Sequence, residues 1–148
     1  MFEFNLTALM GFNFVLGLAI TVFALKIGNA TKNCTDTKVN NSIKGLLSVG
    51  LILMSVSGTS FACGCAGNAL INNNIHMIFG VFSLALGVVL VTLASIVHNK
   101  CGVPKSDTGL IIALGSVMIA VSVGYLGMKA FKRVRGGGVS FAFDEFSY

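Results

Sequence analysis

The sequence predicts an all-α polytopic membrane protein: a four-helix transmembrane bundle with short loops and an extended C-terminal tail. Three observations carry that expectation. Of 148 residues, 55% are apolar and 10% charged, against about 25% charged in soluble chains. Residues 45–99 run for 55 positions, and residues 108–128 for 21, without Asp, Glu, Lys or Arg. At about 1.5 Å per residue, the first run is long enough to cross a roughly 30 Å hydrocarbon core twice and the second once. The 18 glycines against a single proline suit helices that approach one another closely in lipid. One four-span domain over residues 1–135, then a glycine hinge and tail over 136–148, is the expected organisation.

Span one is expected at about residues 6–25. Met1 to Asn5 carries Glu3 and no cation, and the first cation, Lys26, comes after the apolar run. The run therefore reads as a retained span rather than a cleaved signal peptide. Asn13 is its one strongly polar member, and an asparagine there serves to hydrogen bond a neighbouring helix. Residues 26–44, KIGNATKNCTDTKVNNSIK, read as a solvated connection. Asn29-Ala30-Thr31 and Asn33-Cys34-Thr35 match the glycosylation acceptor pattern, which matters only if this loop faces a secretory lumen.

Spans two and three are expected at about 45–66 and 75–97. The turn between them is GNALINNN, residues 67–74, whose glycine and asparagines favour reversal. Residues 98–107, HNKCGVPKSD, form the next loop, with Gly102 and Pro104 as helix breakers. Span four is expected at about 109–128. Small residues recur four apart: Ser55, Thr59, Cys63 and Gly67; Ser116, Ala120 and Gly124; Gly109 and Ala113; Ser83 and Gly87; Gly17 and Thr21. Such spacing places them on one helix face and permits close packing within the bundle or in a homo-oligomer.

Four crossings put both termini on one side. The loops opposite hold Lys26, Lys32, Lys38, Lys44, Lys100 and Lys105, whereas Lys129, Lys132, Arg133 and Arg135 crowd the exit of span four. Cations positioned this way meet lipid headgroups; the count of six against four favours cytosolic loops, the clustering of the second set favours cytosolic termini, and the latter is the expected orientation. Cys34 and Cys101 fall in loops on the same side, so a disulfide would join them if that side is oxidising; in a reducing compartment they stay thiols.

Chemistry is sparse. The spans hold no ionisable side chain of the kind that proton-coupled transport or catalysis draws on, apart from His76 and His98 at their edges. No carboxylate pair or nucleophile with a base can be assembled, so a non-enzyme is expected, with no cofactor. Cys63, Cys65 and His76 could ligate a metal but want a fourth ligand, and His98 with Cys101 is a weaker pair. No metal site is assigned. The basic residues do not alternate with aromatics as nucleic-acid modules require, which excludes that partner. A small oligomeric channel is the alternative, with Ser48, Ser55, Thr59, Thr92, Ser95 and Ser122 lining a polar path.

The tail is different in kind. After Gly136, Gly137 and Gly138, the residues Val139, Phe141 and Phe143 alternate with Ser140 and Ala142, and Phe146 and Tyr148 come after two acids. The period of two suits a strand added to a partner's sheet edge, with the aromatics as partner-binding anchors. The competing reading lays those rings back on the bilayer. With its basic then aromatic terminus, KAFKRVRGGGVSFAFDEFSY, its glycine-rich spans and its minimal loops, the chain resembles internal-membrane proteins of large icosahedral DNA viruses. The likeness covers the whole chain in architecture. It implies a structural role in a virion inner membrane, beside minor capsid proteins, with the tail as the link. The paired loop cysteines also resemble those of cellular four-span scaffold proteins, without the large loop those often carry.

Overall fold

The computed structural model describes residues 6–65, 73–98 and 100–136. They form four helices: α1 (Leu6–Ala30), α2 (Thr37–Cys65), α3 (Asn73–Val97) and α4 (Lys105–Gly136). Each contains a stretch long and apolar enough to cross a membrane: Ala8–Ala30, Thr37–Ser60, Met77–Val97 and Lys105–Phe131. The protein is a four-helix, multi-pass membrane bundle, with no strand among the described residues.

The helices are longer than the apolar runs, and the loops correspondingly shorter. The expected connection at residues 26–44 shrinks to residues 31–36. Asp36 caps α2, its Oδ1 accepting the Lys38 backbone N–H at 2.9 Å, the usual service of an N-cap carboxylate. Val39, Ile43 and Leu46 then bury one face of the new helix. Lysines, asparagines and threonine between them hide that spacing in the sequence. At the other loop, α4 begins at Lys105 rather than 109. The Pro104 carbonyl accepts the N–H groups of Asp107 and Thr108 at 3.2 and 3.3 Å, and a proline suits a helix start because it has no N–H to leave unpaired. The chain reverses before it through Cys101 and Gly102, with φ of 51° and 67°.

α1 packs most extensively on α2 and α3 on α4, with α2–α3 and α1–α4 contacts closing the ring. The two hairpins each close on a glycine crossing. A Cβ on Gly17 would lie 2.9 Å from Leu53 Cβ, 2.9 Å from the Met54 backbone nitrogen and 3.0 Å from the Gly50 carbonyl. In the second hairpin Gly87 faces the Gly115 carbonyl, and a Cβ there would meet Ile119 Cγ1 at 2.9 Å. Between the hairpins runs a core of Leu16, Ile20, Ala24, Leu46, Leu90 and Met118 with their neighbours.

Members of three of the expected small-residue stripes face outward. Ser55, Thr59, Ser116, Ala113, Ala120 and Gly124 are exposed, and Gly109 and Gly124 have open space where a Cβ would stand. Spacing of four fixes that residues share a face but not which face, and Gly50 and Gly115, which do make the crossings, belong to no such run. The outward hydroxyls satisfy themselves: Ser55 and Ser116 each donate to the carbonyl four residues earlier at 2.8 Å, and Thr59 does the same to Ser55. A hydroxyl bonded to its own helix is tolerated in lipid.

Candidate functional site

Three places carry polar chemistry: the loop end, the bundle interior and the far end of α4. At the loop end Cys34 and Cys101 form a disulfide, with S–S 2.01 Å and Cα atoms 5.7 Å apart, across 67 residues of sequence. Beside it Lys26 of α1 reaches Asp107 of α4, Nζ to Oδ1 3.0 Å. The two partners are unequal, because the lysine side chain is 63% exposed and the aspartate 4%. Lys26 stays largely in the open while its ammonium reaches the buried carboxylate, as a long cationic side chain can at a membrane boundary. Asp107 Oδ2 is buried and has no hydrogen-bond partner among the described residues. A second pair, Lys100 Nζ to Asp36 Oδ2 at 3.9 Å, has both partners well exposed and contributes about 0–1 kcal/mol. His98 Nδ1 and Thr108 Oγ1 lie 2.7 Å apart.

Inside the bundle Asn13, Ser83 and Ser122 are all buried. Asn13 Nδ2 donates to Ser83 Oγ at 3.0 Å, and Ser122 Oγ bonds the same hydroxyl at 2.9 Å. Three helices thus share one short chain of hydrogen bonds. Asn13 and Ser122 stand 13 and 15 residues from Lys26 and Asp107, so the chain lies about 20 Å below the loop-end charges at about 1.5 Å per residue. That depth is within the hydrocarbon, where such bonds are worth about 0.6 kcal/mol on average and up to about 1.7. Tyr125, buried against Leu9 and Met10, stands one turn further along α4. Of the hydroxyls expected along a polar path, Ser122 belongs to this interior chain. Ser48, Ser55, Thr59, Thr92 and Ser95 are exposed and bond their own helix carbonyls.

The far end of α4 runs past its apolar stretch to Gly136. It carries Lys129, Lys132, Arg133 and Arg135 on a helix, not on a loose stop sequence. Lys129 Nζ stands 5.9 Å from the centroid of the Tyr125 ring, a cation–π distance. Phe131 and Val134 are 62% and 78% exposed. The tail residues Val139, Phe141, Phe143, Phe146 and Tyr148 lie outside the described residues, as do the side chains of Cys63, Cys65 and His76. Among the described residues no three His, Cys, Asp or Glu gather as metal ligands.

The chain matches no family model, no curated protein and no solved structure. The residues that sequence reasoning missed are Lys26 and Asp107 as a pair. The signal was present: Asp107 is the sole acid between Asp36 and Asp144, and it stands three residues after a helix-starting proline, where a carboxylate favours the helix dipole.

Proposed function

We propose that the protein is a structural multi-pass membrane protein that ties a lipid bilayer to a protein layer through α4 and the residues beyond it. The observation that supports this best is the continuation of α4 beyond Phe131 to Gly136. A helix that leaves the bilayer without a break holds its outer end at a set distance from the headgroups. In this reading Lys129, Lys132, Arg133 and Arg135 contact anionic headgroups, at about 1 kcal/mol for each well-placed cation. Val139, Phe141, Phe143, Phe146 and Tyr148 bind the partner. The links between the hairpins, covalent at Cys34–Cys101 and ionic at Lys26–Asp107, suit an anchor that must not be pulled apart. The architectural resemblance makes a capsid-type layer over a virion inner membrane the first candidate partner, with the termini on the cytosolic side.

The test is deletion of residues 137–148. The truncated chain should insert, form its disulfide and lose the protein that co-purifies with, and photocrosslinks to positions 141 and 143 of, the full chain. Unchanged co-purification refutes the reading. Conductance across a planar bilayer from the purified chain would point to the channel alternative instead.

A further inference from the structure

We propose that Asn33 is a site of N-glycosylation and that the loop end of the bundle faces a secretory lumen, a proposal independent of whether the tail docks. The acceptor pattern Asn-x-Ser/Thr occurs three times around that end: Asn29-Ala30-Thr31, Asn33-Cys34-Thr35 and Asn40-Asn41-Ser42. The fold tells them apart. Glycan transfer needs the asparagine amide and the hydroxyl two residues on to be reachable together, and in a helix residues two apart do not face the same way. Asn29 lies in the last turn of α1, and its Thr31 is buried with Oγ1 donating to the Ile27 carbonyl at 2.8 Å. Asn40 lies in α2, where its Nδ2 donates to the Cys34 carbonyl at 3.1 Å and its Ser42 is buried. Asn33 and Thr35 are both exposed and both lie in the non-helical segment 31–36. Each of the other two acceptors has a member held by the fold, whereas Asn33 and Thr35 both present their side chains to solvent.

The disulfide is the second, independent observation. Cys34 is the middle residue of the Asn33 acceptor and is bonded to Cys101. Disulfides form and persist in oxidising compartments such as the endoplasmic reticulum lumen, which is also where lipid-linked oligosaccharide is transferred to protein. In that transfer Asn33 Nδ2 attacks the anomeric carbon of an oligosaccharide carried on a lipid pyrophosphate. The N–C bond forms as the C–O bond to the pyrophosphate breaks, the amide nitrogen gives up one proton, and the lipid pyrophosphate leaves with the electron pair.

The experiment expresses the full-length chain in secretory cells and reads its gel mobility with and without peptide N-glycosidase. A single mobility step is expected, removed by the enzyme and absent from Asn33→Gln and from Thr35→Ala, but retained in Asn29→Gln and Asn40→Gln. Asn29, Asn33 and Thr35 are exposed, so changes there leave the packing intact. A membrane-inserted, disulfide-bonded chain with no step overturns the proposal. So does a step lost in Asn29→Gln or Asn40→Gln instead. A fourth acceptor pattern, Asn5-Leu6-Thr7, runs into the start of α1, and a step lost only in Asn5→Gln would overturn the proposal by inverting the orientation.

Discussion

Within each hairpin, helix meets helix at a glycine; between the hairpins, the contacts that set register are directional or covalent. Gly17 and Gly50 let α1 and α2 touch backbone to backbone, and Gly87 and Gly115 do the same for α3 and α4. Across the hairpins stand Cys34–Cys101, Lys26–Asp107 and Asn13–Ser83. In lipid there is no water to expel, so close fit at the glycines does most to hold a hairpin together, with Ser122–Ser83 adding a hydrogen bond inside the second. A seam with fewer close backbone contacts needs bonds that prefer one register over its neighbours. The difference points to hairpins that form as units and are then fastened to each other.

Four changes probe that contrast, in decreasing order of effect. Gly17→Leu should be worst, because its side chain would enter space held by the Met54 nitrogen and Gly50 carbonyl, which cannot rotate away. Overpacking of this kind costs about 3 kcal/mol, read as a lowered unfolding midpoint in detergent; a wild-type midpoint would mean the crossing is not tight. Cys101→Ser comes next. Closing a 67-residue loop is worth roughly 4 kcal/mol in a free chain, but helices already held in a bilayer have less freedom to lose, so about 2 kcal/mol is expected. Hairpins made as units would survive this change, and protease protection of each hairpin under reducing conditions checks that. If protection collapses in both, the hairpins are not independent.

Lys26→Met should cost about 1–2 kcal/mol, since it leaves a buried carboxylate with neither oxygen paired, whereas Asp107→Ala removes the buried polar group altogether and leaves an exposed ammonium that water can serve. Equal losses in the two variants would contradict the unequal burial of the pair. Smallest is Ser83→Ala, at about 0.6 kcal/mol and no more than about 1.7. It removes the shared centre of the Asn13–Ser83–Ser122 chain, and a double-mutant cycle with Asn13→Ala should show coupling of the same size.

The four helices were legible because residues 45–99 and 108–128 have no charge to interrupt them. Their ends were not, because α2 starts in a segment whose Lys38, Asn41 and Lys44 face outward while Val39 and Ile43 face in. Asn13 could be read as a bonding residue from its isolation in an apolar run, although its partner could not, since Ser83 is 70 residues away. The glycine crossings were half legible: Gly17 and Gly87 sit in small-residue pairs, but Gly50 and Gly115 are flanked by Val49, Leu51 and Leu114. Asp107 reads as loop in the sequence because the proline before it is taken for a breaker, when here it opens the helix.

The Cys34–Cys101 bond also gives the chain an unusual connectivity. Everything from residue 34 to residue 101, including all of α2 and α3, is a covalent ring threaded through the bilayer twice. A single backbone cut in the sequence between α2 and α3 would open that ring without dividing the molecule. The nicked protein should therefore migrate as one species until a reductant is added, and as two pieces afterwards.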